Sequence, residues 1–142
     1  MNIFETNTLA ISGVSQEGSV GEAITTRSNI FEMTQLAEVA VLRPLEYGMF
    51  PHDVRAALAY RIAAHAGETS LAEHYAAAVG DKFNLAQSRM IEGEPVSTLI
   101  PFVDKAANDT KDIVAEDISK LQAVGVSDAD IVRLCELIAF VA

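Results

Sequence analysis

The sequence has a single cysteine, no tryptophan and few basic residues, and each scarcity excludes a class of protein. Cys135 alone cannot close an intrachain disulfide, form a CxxC redox pair or supply a multi-cysteine zinc site. Ten Lys and Arg stand against 20 Asp and Glu, so the formal net charge is −10. We therefore expect neither a nucleic acid nor an anionic membrane surface as a partner.

Long apolar runs are also missing. No run approaches the roughly 18 residues of a membrane-spanning helix, and no basic segment followed by an apolar segment opens the chain. What the chain does have is a globular balance, with 50% hydrophobic and 21% charged residues over a length typical of one domain. We expect a soluble, cytoplasmic protein.

Apolar residues recur at three- and four-residue spacing along most of the chain, and strand-like alternation does not occur, so the sequence predicts an all-α fold. Residues 1–27 lack a lasting stripe and are predicted to form an irregular arm with one helical turn around 21–26. Residues 28–142 are predicted to form one helical domain. Its six or seven helices are predicted at 29–42, 51–66, 70–79, 83–90, around Pro101 with either a start near 100 or a kink, 115–124 and 128–140.

Several residues mark predicted helix ends. Pro51 suits the first position of the second helix, and Gly67 suits the position after its end. Ser70 and Glu73 have the spacing of a capping box, and Ser127 is predicted to cap the last helix.

The histidines are the first candidates for chemistry. His52, His65 and His74 are separated by 13 and 9 residues, neither of which is the spacing of a helical metal pair, so we expect no metal and no cofactor. His52 is predicted to be solvated and His65 to interact with a helix C-terminus. His74 has two interpretations: a ring pointing into a cleft between helices, or a hydrogen-bonded core histidine. Cys135 lies on an aliphatic stripe and is predicted to be buried.

Two segments together resemble a known superfamily. Residues 50–67, FPHDVRAALAYRIAAHAG, followed by LAEHY at 71–75, look like the core helices of the carboxymuconolactone decarboxylase and alkylhydroperoxidase D-like superfamily. Residues 121–132, LQAVGVSDADIV, and IAFV at 138–141 resemble its C-terminal segment. The resemblance covers about 50–142 and implies an alkylhydroperoxidase D-like helical bundle, in the branch described only as a carboxymuconolactone decarboxylase domain protein.

Peroxidatic members of that superfamily carry a Cys-x-x-Cys-x-x-x-His motif. Here Gly67 and Ser70 stand at the two cysteine positions, and only His74 matches. Neither glycine nor an ordinary serine replaces the thiolate and the resolving thiol. We therefore predict that thiol peroxidase activity is absent, and the resemblance leaves Ser70 as a candidate ligand-binding residue and His74 as a candidate catalytic one.

Decarboxylase members suggest an alternative, because they work without cysteines or a cofactor and hold a histidine near the equivalent of His74. The chain would then be a cofactor-free decarboxylase or isomerase acting on a small carboxylic acid, with Arg55 and Arg61 as candidates to bind the anion. A residual peroxidase-related antioxidant role is a further alternative.

The interpretation that we favour is an interaction protein or small-ligand-binding protein with a degenerate active site. A carrier is predicted to have a closed apolar pocket between the helices at 51–66, 70–79 and 128–140. The alanine-rich chain has a mean hydropathy of +0.23, and this apolar balance predicts a homo-oligomer. A peroxidase-related protein is a further predicted partner.

Overall fold

The computed structural model describes residues 2–80 and 96–142, and within those ranges its regular structure is entirely helical. This confirms the all-α prediction for the described chain. Short 3-10 turns occur at Ile3–Glu5 and Thr110–Asp112. The α-helices of the described ranges are α1 (Asn7–Ser12), α2 (Gly18–Thr26), α3 (Ser28–Leu42), α4 (His52–His65), α5 (Thr69–Ala76), α6 (Val96–Asn108), α7 (Ala115–Ala123) and α8 (Asp128–Val141).

Most helix boundaries agree with the sequence pattern to within a few residues. The helix predicted at 83–90 lies outside the described residues. Of the two alternatives at Pro101, the start near 100 is wrong, because α6 begins at Val96 and Pro101 lies inside it. None of the helices in the described part of the chain is long and apolar enough to cross a membrane.

The chain forms two compact units, Met1–Ala40 and Val41–Ala142, and the division falls inside α3. The predicted boundary was at 27/28. The segment predicted to be an irregular arm carries two helices, α1 and α2. Both are short: α1 ends just before Gly13, and α2 begins at Gly18. Neither is long enough to show a lasting apolar stripe in the sequence.

Unit 1, residues 2–40, is held by polar contacts between α1 and α3. The backbone N–H of Asn7 donates to Gln35 Oε1 at 2.8 Å, and Asn7 Nδ2 donates to Glu38 Oε2 at 2.9 Å. Glu38 is itself buried. The large apolar residues that unit 1 buries are Ile3 and Leu9, so its apolar core is small.

Unit 2, residues 41–142, has a continuous apolar core built around α4. Helix α4 packs against α5, α6 and α8. Its residues 56–59 are buried, and three of these four are alanines, whose small side chains allow neighbouring helices to approach closely. The other helices contribute fully buried aliphatic side chains such as Val103, Leu121 and Leu134.

Helix α4 ends in a Schellman motif, as the sequence predicted from Gly67. Gly67 has a φ of 79°, a left-handed conformation that other residues rarely adopt. Its N–H donates to Ala64 O, and the N–H of Glu68 donates to Ala63 O. This tight turn brings the chain directly into α5.

The capping box predicted at Ser70 and Glu73 is wrong. Helix α5 begins one residue earlier, at Thr69, and its cap residue is Glu68, whose side chain makes no capping bond. The reason is the Schellman turn before it, which starts the new helix too early for Ser70 to lie at the cap. Ser127 does cap α8, because its Oγ accepts a hydrogen bond from the N–H of Asp130.

Candidate functional site

Arg55, a predicted anion-binding residue, is an internal anchor for the backbone. Its side chain is buried, and all three of its nitrogens donate to carbonyl oxygens: Nε to Phe50 at 2.7 Å, Nη1 to Val41 at 2.7 Å and Nη2 to Tyr47 at 2.9 Å. These carbonyls lie at the end of α3 and in the connector, residues 43–51, that joins α3 to α4. Burial lowers the pKa of Arg55, with a further contribution from the charge of Arg133. The guanidinium therefore fixes the backbone conformation of this connector.

The same connector is held from α8 by Asp130. Its Oδ1 accepts hydrogen bonds from the N–H of Met49 and from Arg133 Nη1, both at 3.0 Å. Gly48 makes this approach possible, because its φ is 59° and a Cβ there would lie 2.2 Å from Asp130 Oδ1. Asp130 lies in the first turn of α8, and nothing in the sequence near it indicates that it contacts a connector 81 residues away.

The pKa of Asp130 reflects two opposing effects. Desolvation by itself would raise it, but hydrogen bonds from Met49, Ser127 and Arg133 stabilise the carboxylate and lower the pKa below its ordinary value. Asp130 is therefore ionised at neutral pH, and its charge supports the connector.

Arg61, the second predicted anion-binding residue, forms an internal ion pair. It is completely buried, and its Nε and Nη2 each donate to one carboxylate oxygen of Asp104 on α6 at 2.7 Å. His65 Nδ1 lies 3.8 Å from Asp104 Oδ1. This bidentate geometry joins α4 to α6. Asp104 lies 43 residues from Arg61, and sequence analysis did not identify it.

The predicted site residues are not gathered around one cleft in the way that the decarboxylase hypothesis requires. Arg55 and Arg61 are six positions apart on α4, which turns their side chains about 120° away from one another. On α5, Ser70 is exposed, and the half-buried His74 packs its ring against Tyr75, with ring centroids 5.1 Å apart.

Unit 2 has an open pocket of about 640 Å³. It lies between α6, α7, α8 and the 3-10 turn at 110–112. The apolar pocket predicted for a carrier involved the helices at 51–66, 70–79 and 128–140, so the two pockets share only the last helix. Residues lining the pocket include Phe102, Ala106, Thr110, Ile118, Cys135 and Ile138.

Cys135 is exposed and lines this pocket, so the prediction that it belongs to the core is wrong. The buried stripe of α8 includes Ile131, Leu134 and Ile138. At 100° per residue, Cys135 lies at the edge of that stripe, where spacing alone does not separate a core position from a pocket wall. Desolvation raises the pKa of its thiol, and the negative charge of Glu136 raises it further.

The pocket lining carries no charged side chain. Its polar groups are the thiol of Cys135 and the hydroxyl of Thr110, which donates to Ala106 O at 2.5 Å and keeps an acceptor lone pair. A smaller depression of about 270 Å³ beside Phe102 differs, because it is lined by Lys105, Asp117 and Lys120. There Lys105 Nζ and Asp117 Oδ2 form an ion pair at 2.7 Å, so these charges neutralise one another.

Among residues 2–80 and 96–142, no group of three or more His, Cys, Asp or Glu side chains is arranged to hold a metal ion. Comparison of the chain with protein family models, curated proteins and solved structures finds no match in any of the three. The function must therefore be argued from the geometry of the chain itself.

Proposed function

We propose that this protein binds a small, neutral, mainly apolar molecule in the pocket between α6, α7 and α8. The observation that carries the proposal is a concavity of about 640 Å³ with an uncharged, predominantly aliphatic and aromatic lining. Pockets of roughly 300–1,000 Å³ with apolar walls and a few polar groups are typical of small-molecule sites.

The charge of the site selects the ligand class. A carboxylate or phosphate entering this pocket would lose water without gaining a cationic partner, in a chain whose net charge is −10. An apolar molecule gains from leaving water, and one hydroxyl group on it can donate a hydrogen bond to Thr110 Oγ1 at the pocket wall. We expect neutral rings or short alkyl compounds rather than organic acids.

The decarboxylase or isomerase alternative has less support. It requires a cation that can bind the carboxylate of a substrate near His74. Arg55 donates to three backbone carbonyls and Arg61 to both oxygens of Asp104, so binding an anion would break contacts inside unit 2. None of the contacts of His74 and Ser70 described above favours that reaction.

We propose that thiol peroxidase activity is absent, for a reason that differs from the burial first expected. Cys135 is accessible, but its raised pKa disfavours the thiolate that would attack a peroxide. The chain also has no second cysteine to resolve a sulfenic acid. A peroxidase-related antioxidant role therefore has no chemical support from this thiol.

The superfamily assignment is also proposed. The resemblance of residues 50–75 and 121–141 supports an alkylhydroperoxidase D-like fold in a branch without the dithiol. An α4–α5 hairpin with α4 packed on α8 is compatible with it. A peroxidase-related partner is a proposal that follows from the same resemblance, whereas the proposed cytoplasmic location follows from the single cysteine and the absence of a long apolar run.

The binding proposal can be tested with two fluorescent probes that are similar in size and differ in charge. N-phenyl-1-naphthylamine is neutral, whereas 1-anilinonaphthalene-8-sulfonate carries a negative charge. We expect the neutral probe to bind one site per chain and the sulfonate to bind at least about tenfold more weakly, because the pocket offers it no cation.

Variants locate the site. Ala139→Phe places a bulky side chain in the pocket and should abolish binding of the neutral probe, while Val132→Phe, at an exposed position of α8 that does not line the pocket, should leave it unchanged. Alkylation of Cys135 should slow when the neutral probe is bound. Equal binding by the wild-type protein and Ala139→Phe, with both variants folded by circular dichroism, would refute the proposed site.

A further inference from the structure

Helix α3 exposes large apolar side chains along one side. Its buried side chain is the acid Glu38, and the half-buried Gln35 lies on the same side as Glu38, facing Asn7. On the exposed side, Met33 retains 66% and Leu36 64% of the accessible surface. A helix that leaves large apolar side chains exposed along one side is typical of a surface that another chain covers.

Most of the exposed apolar residues of α3 form one continuous face, and Val39, which is 47% exposed, lies outside it. Ile30, Met33, Ala37 and Ala40 follow one another at spacings of three, four and three residues, and all four are exposed. This is the spacing of the seam along which two helices pack in a coiled coil. Leu36 borders the seam on one side. The five residues are named the α3 face below.

We propose that the α3 face pairs with the α3 face of a second copy of this chain, with the two helices antiparallel. Antiparallel pairing centred near residue 35 places Ile30 opposite Ala40 and Met33 opposite Ala37, so each large side chain meets a small one. Parallel pairing would place large against large and small against small, which leaves uneven gaps. Antiparallel pairing also brings the two copies of Leu36 together at the twofold axis.

The charges of α3 fit a second copy. The α3 face carries no ionisable group, although the chain as a whole has a net charge of −10. The two acids of the helix lie away from the face: Glu38 is turned inward to Asn7, and Glu32 is about 100° from the centre of the face. Two copies can therefore meet along α3 without placing carboxylates against one another.

The size of the face determines the strength of the contact. A helix of 15 residues is about 22 Å long, and one such contact covers less than the roughly 800 Å² per partner of a standard interface. Val20 on α2, in the same unit, is also exposed and can extend the apolar contact. The dimer is therefore expected to be weak and to form reversibly with concentration.

Sedimentation velocity on the full chain tests the association. Between about 10 µM and 500 µM, the range of weak reversible interfaces, the average mass should rise from the 15.2 kDa of one chain toward twice that value. Met33→Glu should keep the protein at the mass of one chain throughout. Val132→Glu is the matched control, because it adds the same charge at an exposed valine of α8, and it should dimerise like the wild type.

Disulfide trapping tests the orientation, in a Cys135→Ser background that removes the native thiol. Leu36→Cys alone should cross-link two copies. Ile30→Cys alone should not, because antiparallel pairing separates the two positions by about 15 Å, whereas a mixture of Ile30→Cys and Ala40→Cys should form the mixed dimer.

Three outcomes would overturn the proposal. A wild-type mass of one chain over the whole concentration range would show that no second copy binds α3. An unchanged dimer in Met33→Glu, folded by circular dichroism, would place the contact elsewhere. Efficient cross-linking of Ile30→Cys with itself would replace the antiparallel arrangement with a parallel one.

Discussion

Units 1 and 2 distribute their polar and apolar groups in opposite ways. Of the ten exposed large hydrophobic residues among those described, five lie in unit 1, which is less than a third of the described chain. In unit 2 the apolar residues form a closed core, and the buried Arg55 and Arg61 are both hydrogen-bonded. The stability of unit 2 is therefore internal, whereas unit 1 presents a surface suited to a partner.

The largest expected effect comes from breaking the internal ion pair of unit 2. Asp104→Ala removes the carboxylate that neutralises the fully buried Arg61, and we expect a loss of about 3–5 kcal/mol in the free energy of unfolding. Urea denaturation followed by circular dichroism measures it. Asp109→Ala, an exposed acid just after α6, should change stability by less than about 0.5 kcal/mol. A similar small change in Asp104→Ala would show that the pair adds little to the fold.

The same leucine truncation made in both units compares them directly. Leu58 is fully buried in α4, so Leu58→Ala should cost about 2–5 kcal/mol. Leu36 is exposed on α3, so Leu36→Ala should cost less than about 0.5 kcal/mol when unfolding is measured on dilute, monomeric protein. Equal losses in the two variants would mean that α3 belongs to a core in solution, which would contradict the contrast between the units.

Asp130 makes the free energy of unfolding of unit 2 depend on pH, and the direction of that dependence can be derived. Its pKa is lower in the folded than in the unfolded protein, so its stabilisation is present above the unfolded value of about 3.9 and is lost as pH falls through the folded pKa. We expect Asp130→Asn to lose about 1–3 kcal/mol at pH 7, because hydrogen bonds to a charged acceptor are weakened. The difference from the wild type should shrink below about pH 4. If the difference in unfolding free energy between the wild type and Asp130→Asn stayed constant between pH 7 and pH 3, ionisation of Asp130 would not be coupled to folding.

The smallest change in stability is expected at Cys135. Because the residue is exposed, Cys135→Ala should alter the free energy of unfolding by less than about 0.5 kcal/mol. In the wild type, the rate of iodoacetamide alkylation should keep rising with pH beyond the range of an ordinary thiol, because the pKa of Cys135 is raised. Glu136→Gln should shift this profile to lower pH. An ordinary thiol profile in the wild type would show that the pocket wall does not dehydrate the sulfur.

The parts of the fold that sequence analysis predicted well are those that depend on local pattern. The ends of α3, α4, α7 and α8 follow from apolar spacing, and Ser127 and Gly67 act as the cap and the stop expected of them. Helix α1 was missed, and only one turn of α2 was predicted, at 21–26, because both helices are too short to repeat a pattern. The pocket between α6, α7 and α8 was not anticipated, because spacing does not show which helices leave a gap between them.

Composition and near-neighbour spacing are sufficient to predict the helical structure of residues 2–80 and 96–142, and the net charge of −10 and the single thiol are read directly from the chain. Four other features depend on the folded chain: the pairing of Arg61 with Asp104, the contact of Asp130 with the connector before α4, the position of Cys135 in a pocket wall and the exposure of the α3 face. The physical reason is the same for all four. Helical periodicity shows which side chains share a face, but contacts between residues far apart in the chain decide what that face meets.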